Sequence, residues 1–197
     1  MALTLANADV IGRFTQIADH YFKADSGSTT TVVSKSVADE LDLANYYVCF
    51  LSGDNKGIDR VVSSYDDVTG TLTFSELDTA IDNTVSVAVS QNGFNNFIDE
   101  AELSIGNYLR NNGYDVDNFL TPSQLREAHL YKTIELICRS RYNDGSDDDL
   151  YFKNMELYGS LFTGEMARLV ADYDANEDGS ISTDEELLNI GQVMFVR

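Results

Sequence analysis

Asp174, Asn176 and Asp178 alternate with other residues and run into Gly179, and Glu185 follows seven residues after Asp178. Hard cations need about six to eight oxygen ligands, and a glycine where the backbone turns sharply between them. Counted from Asp174, the stretch Asp-Ala-Asn-Glu-Asp-Gly-Ser-Ile-Ser-Thr-Asp-Glu offers side-chain oxygens at positions 1, 3 and 5 and glycine at position 6. The Ser180 carbonyl follows at position 7, Ser182 acts at position 9 directly or through a water, and Glu185 at position 12 is the bidentate ligand. Ile181 supplies the apolar residue that packs on neighbouring structure. Started at Asp172, the pattern fails, because Glu177 falls where glycine is required. The expected metal ligands are therefore Asp174, Asn176, Asp178, Ser180, Ser182 and Glu185, and the expected ion is Ca2+ in a structural role. The alternative is an Asx-rich turn that ends a helix and holds no ion tightly.

This is the pattern of an EF-hand loop, but its surroundings argue against a sensor. There is a single such loop, whereas sensor hands work in pairs. The exit segment, Glu186-Leu187-Leu188-Asn189-Ile190, is short and meets Gly191. With four methionines in the chain, no Met-rich groove is evident. Calcium here is expected to brace a C-terminal turn rather than to open a helix pair.

Other chemistry is not signalled. GxSxG, HExxH, P-loop and GxGxxG patterns are missing from the sequence. His20 and His129 each fall on a predicted helix and are expected at the surface or its boundary. Asp147-Asp148-Asp149 suits the negative charge favoured at a helix N-terminus better than a two-metal site. The two cysteines, Cys49 and Cys138, sit in apolar segments without ligand spacing and are expected as small buried hydrophobes. No enzymatic activity is expected.

The elements that must position the loop can be read from periodicity. Asn7 is placed to cap a helix over 7–24, in which Val10, Ile11, Phe14, Ile17, Ala18, Tyr21 and Phe22 form one stripe at the 3.6-residue period. Residues 29–90 change to Thr, Val, Tyr and Ser with closely spaced turns, and predict strands over 30–33, 46–51, 59–65, 71–74 and 85–89. Helical spacing returns over 92–112, with Gly113 after the end, over 121–141, opened by Thr121-Pro122-Ser123-Gln124, and over 148–172. In the last of these the apolar stripe is Leu150, Met155, Tyr158, Leu161, Phe162, Leu169 and Val170. The expected class is α+β: a bundle of about four helices with an inserted small antiparallel β domain. Residues 1–26 would join the bundle, 27–91 form the β domain, 92–173 the rest of the bundle, and 174–197 the loop and tail.

The 197 residues carry a net charge of −20 and are 43% hydrophobic, enough for a packed core. The acidity repels nucleic acid and argues against a DNA or RNA binder, though not against a channel through which DNA slides. Met1–Ala6 has neither a basic start nor a long apolar run, so neither a secretory leader nor a membrane span is expected.

Three motifs of the C-terminal half stand together. One is the helix ending Ile-Gly-Asn-Tyr-Leu-Arg-Asn-Asn-Gly-Tyr-Asp over 105–115, and another is Leu120-Thr121-Pro122-Ser123-Gln124-Leu125. The third is Tyr151-Phe152-Lys153-Asn154-Met155-Glu156-Leu157-Tyr158, in a long helix leading to an Asp-rich end. With these, the C-terminal half resembles the head-tail connector proteins of tailed bacteriophages, also called adaptor or head-completion proteins. Gly57-Ile58-Asp59-Arg60, Ser64-Tyr65-Asp66 and Thr69–Phe74 are similar to phage structural modules, so the resemblance spans roughly 50–185. It implies a dodecameric ring, made in the host cytoplasm and carried in the virion at the capsid-tail junction. The ring would dock on the portal protein, receive a downstream neck or tail protein, and let packaged double-stranded DNA pass without specific binding. It involves no membrane. The apolar tail Gly191-Gln192-Val193-Met194-Phe195-Val196-Arg197 would insert into the portal. The alternative function is a calcium-dependent binding module, for virion decoration or for receptor or carbohydrate binding.

Overall fold

The computed structural model describes residues 5–119, 121–142, 149–171, 173–174, 180 and 188–189. The chain divides into two compact units, Ala6–Asn95 and a second built from Asn96 onward.

The first unit is a curled, fully antiparallel seven-stranded sheet with one short helix. Helix α1 spans Asn7–Arg13, and the strands are β1 His20–Lys23, β2 Ser26–Gly27, β3 Thr31–Val33, β4 Tyr47–Phe50, β5 Asp59–Asp66, β6 Thr71–Phe74 and β7 Ser86–Ser90. Their order in the sheet is β1-β7-β4-β5-β6-β3-β2. The two edge strands are neighbours in sequence, joined only by Ala24 and Asp25. The Ala24 N–H donates to Val85 O on the β7 side (2.9 Å), and the Asp25 N–H to Val33 O on the β3 side (2.8 Å). One stretch, 20–27, thus satisfies both edges of the curl, which would otherwise be open templates for pairing. β5 bends at a register shift between Val62 and Ser64, so that its first half pairs with β4 and its second with β6.

Alternation sends Phe22, Val32, Val48, Phe50, Val62, Leu72, Phe74, Val87 and Val89 to one core. Phe50 and Phe74 meet edge-to-face at 5.5 Å. Cys49 and Ala88 alternate to the other face of the sheet and are buried there, with α1 packed on β4. Asn7 secures that helix. Its amide donates to Asp59 Oδ2 (3.1 Å), and its Oδ1 accepts from the Phe94 N–H (2.6 Å).

The second unit holds α2 Asn95–Asn111, α3 Arg126–Arg141 and α4 Leu150–Arg168, followed by β8 Val170–Ala171 and β9 Leu188–Asn189. Asp149 caps α4, its Oδ1 accepting from the N–H groups of Tyr151 (2.6 Å) and Phe152 (3.3 Å). Gly113, at φ +86°, ends α2 and lets the Tyr114 N–H reach Leu109 O at 3.0 Å. α3 lies at the centre and is buried on most sides. Ile105 and Leu109 of α2, Leu125 and Ala128, and Met166 and Leu169 from the end of α4 form the core with Tyr114, Phe119 and Tyr173.

The structure corrects several expectations. The class is mixed α and β, but the sheet dominates, so a helical bundle with a small inserted β domain is the wrong description. The helix expected over 7–24 stops at Arg13, and after a 3-10 turn the chain enters β1, where alternation buries Phe22, and Ala24 just after it, and leaves Tyr21 exposed. Asn7 does not cap it. Ala6 does, with Asp9 Oδ2 accepting from the Ala6 N–H at 3.0 Å. At 121–125 the first turn is 3-10 helix, and the Gln124 N–H donates to the Thr121 carbonyl (3.1 Å). In α4, Leu150 and Leu161, expected inside, are 46% and 39% exposed, whereas Tyr158, Met166 and Leu169 are buried.

Candidate metal loop and the helical surface

α4 ends at Arg168, and the chain passes through β8 into the proposed loop. Asp174, at its first position, is 4% exposed, and its N–H donates to Asn118 O at 2.9 Å. Tyr173 beside it bridges to Phe119, and its ring meets those of Tyr114 (5.2 Å) and Phe119 (5.3 Å) edge-on. The Asp115 N–H donates to the Tyr173 hydroxyl at 3.0 Å. The loop therefore starts from a point fixed by the aromatic end of the helical core.

Its far side is fixed differently from an EF-hand. Val170 pairs with Asn189 and Ala171 with Leu188, antiparallel. Leu188 and Asn189, from the short exit segment, form a strand, so residues 172–187 fall in sequence between two paired strands. Of the six expected ligands, Asp174 and Ser180 fall within the described residues. Asn176, Asp178, Ser182 and Glu185 lie outside them, as does the tail 191–197. Among the described residues, no group of three or more His, Cys, Asp or Glu side chains could hold a metal.

The histidines differ from expectation in different ways. His20 sits on β1, its Nδ1 3.9 Å from Glu40 Oε1, at the boundary but not on a helix. His129, expected at the surface, is fully buried on α3. Its Nε2 lies 2.8 Å from Ile98 O on α2, and its Nδ1 has no hydrogen-bond partner. Burial pushes its pKa down, against an upward pull from the Ile98 hydrogen bond and the charges of Glu102 and Asp99. Both thiols are free and buried. Burial, with Asp59 nearby, raises the pKa of Cys49, and burial raises that of Cys138 to about 12. Asp149 proves to be the α4 cap, while Asp147 and Asp148 lie outside the described residues.

One feature escaped the sequence reading. Glu135 of α3 is buried and ion-paired to Lys132 (2.8 Å) and Arg139 (2.5 Å). It borders an open groove of about 670 Å3 between α3 and α4, lined also by Met155, Gly159, Ser160 and Gly164. The available signal was cations three residues before and four after a glutamate, which the apolar run Thr133–Cys138 obscured.

No protein-family model, curated protein or solved structure matches the chain.

Proposed function

We propose that the chain is a non-catalytic structural protein of a tailed-phage particle, packing beside copies of itself in a ring that connects portal to tail or neck. The observation that carries this reading is the outer face of α4. Leu150, Leu157 and Leu161 recur at spacings of seven and four on one side of the helix and are 46%, 52% and 39% exposed. Single exposed leucines are ordinary, but a row of them along one helix is what a neighbouring helix covers. The resemblance in 105–158 supplies the particular assembly. The test is electron microscopy of particles that contain the protein. A symmetric ring between a capsid vertex and a tail is expected, and isolated copies scattered over the capsid or fibres would overturn the reading.

A calcium-dependent binding module is the second reading, favoured by Asp174 buried at the mouth of a strand-closed loop. In either role the ion would be held by Asp174, Asn176, Asp178, Ser180, Ser182 and Glu185. Glu185→Gln removes the bidentate ligand, and calorimetry should then show calcium affinity reduced at least about tenfold. Unchanged affinity would remove the loop from both readings.

A further inference from the structure

We propose that His129 is an acid-sensitive latch between the first turns of α2 and α3: when its imidazole takes a second proton, the two helix starts separate, and the helical unit opens there while the sheet unit stays closed. This device stands apart from the assembly reading. His129 is the fourth residue of α3, and Ile98, whose carbonyl lies 2.8 Å from its Nε2, is the fourth residue of α2. A carbonyl only accepts, so Nε2 carries the proton and Nδ1 is the bare nitrogen. That Nδ1 is buried and has no hydrogen-bond partner among the described residues.

A second proton would have to sit on Nδ1. It would turn an idle acceptor into an unpaired donor and place a charge in a buried site, and both are costly. The charges around the ring do not relieve this. From α2, exposed Asp99 and half-buried Glu102 favour the cation, but burial outweighs them and the pKa stays lowered. On α3 the neighbouring turns carry two cations, Arg126 and Lys132, and Lys132 is held by Glu135 at 2.8 Å. α4 meets α3 at Tyr131, Lys132 and Glu135, through Tyr158, Phe162 and Gly159. The strain is relieved when Nδ1 reaches water, and the least disruptive route is to part the two helix starts. First turns open most readily, since their N–H groups lack intrahelical partners. Below about pH 6.5, the ordinary histidine value, the open form binds a proton that the closed form refuses. Opening therefore gains population as pH falls.

The experiment is amide hydrogen exchange on the full-length chain as a function of pH, corrected for the intrinsic exchange rates, with β4 and β7 as the internal reference. Exchange over 99–105 and 130–136 should rise severalfold from about pH 6.5 to 5.5, toward a limit of about tenfold per pH unit, while β4 and β7 hold. His129→Gln, which keeps an N–H donor but does not titrate, should abolish the rise. A rise shared equally by β4 and β7 would mean destabilisation of the whole chain and would overturn the inference. So would helical exchange that ignores pH, or a rise that persists in His129→Gln. Should that variant fail to fold, the imidazole titration followed by NMR in the native chain decides. A midpoint that tracks the rise in helical exchange supports the latch, and protonation that leaves the exchange unmoved refutes it.

Discussion

The two units solve the burial problem in opposite ways. In the sheet unit, alternation sends a row from every strand except β2 into one core, and a single stretch of chain occupies both edges of the curl. In the helical unit, α3 is buried on most sides, but α4 turns three leucines outward. Both units expose large apolar residues, but in the first, Tyr21, Leu41, Val61 and Val68 are scattered over strands and turns, whereas in the second, Leu150, Leu157 and Leu161 share one side of a single helix. The units differ in how the exposed apolar residues are arranged, not in how many there are.

The largest difference is expected between Phe50 in the sheet core and Leu157 on the exposed row. Phe50→Ala empties the centre of the curled sheet and should cost about 3–5 kcal/mol in denaturant unfolding. Leu157→Ala, on the exposed row, should change stability by no more than about 0.5 kcal/mol while weakening any self-association. A large loss from Leu157→Ala would show that the row is covered within the chain.

Two glycines sharpen the contrast at the backbone. Gly70, at φ +65° in the β5–β6 turn, has no room for a side chain, since an added Cβ would lie 2.0 Å from Ser34 O. Gly113 needs its positive φ equally, but an added Cβ there would meet nothing within 4 Å. Gly70→Ala should therefore exceed about 3 kcal/mol in thermal or denaturant unfolding. Gly113→Ala should cost only the left-handed strain, about 1–2 kcal/mol. Equal losses would mean that the turn after β5 yields more readily than its packing implies.

A smaller effect should separate the units by pH. His129 is buried with its folded pKa lowered, so below the unfolded value of about 6.5 the unfolded chain binds a proton that the folded chain refuses. Its contribution is whole above pH 6.5 and is lost as pH falls toward the lowered folded pKa, at up to about 1.4 kcal/mol per pH unit. His129→Gln should flatten that slope between about pH 6.5 and 5.5 relative to the native chain. An unaltered slope would show that His129 takes its proton without penalty.

Much of the local structure was legible. The five strands expected between 30 and 89 appear as β3 to β7, and Asp149 and Gly113 stand at helix ends where their chemistry belongs. Short-range rules govern these positions: alternation, capping and left-handed tolerance act within a few residues. The ligand spacing from Asp174 to Glu185 is likewise a property of the chain, but Asn176, Asp178, Ser182 and Glu185 of that pattern lie outside the described residues.

What only the tertiary structure decided depends on partners distant in sequence. Tyr21 and Phe22 fit a helix stripe and a strand equally well, and the strand prevailed because 20–27 pairs with β7 on one side and β3 on the other. Leu161 fits an inward stripe on a helical wheel, yet the position of α3 leaves it outside. His129 reads as a boundary residue until Ile98 of α2 is set against it at 2.8 Å. Leu188 reads as part of a short exit segment after the loop until Ala171 pairs with it. The sequence determines which residues are apolar, which can cap or turn, and which could ligate a cation. Which apolar face is covered, and by what, is fixed by packing, because burial is a relation between elements.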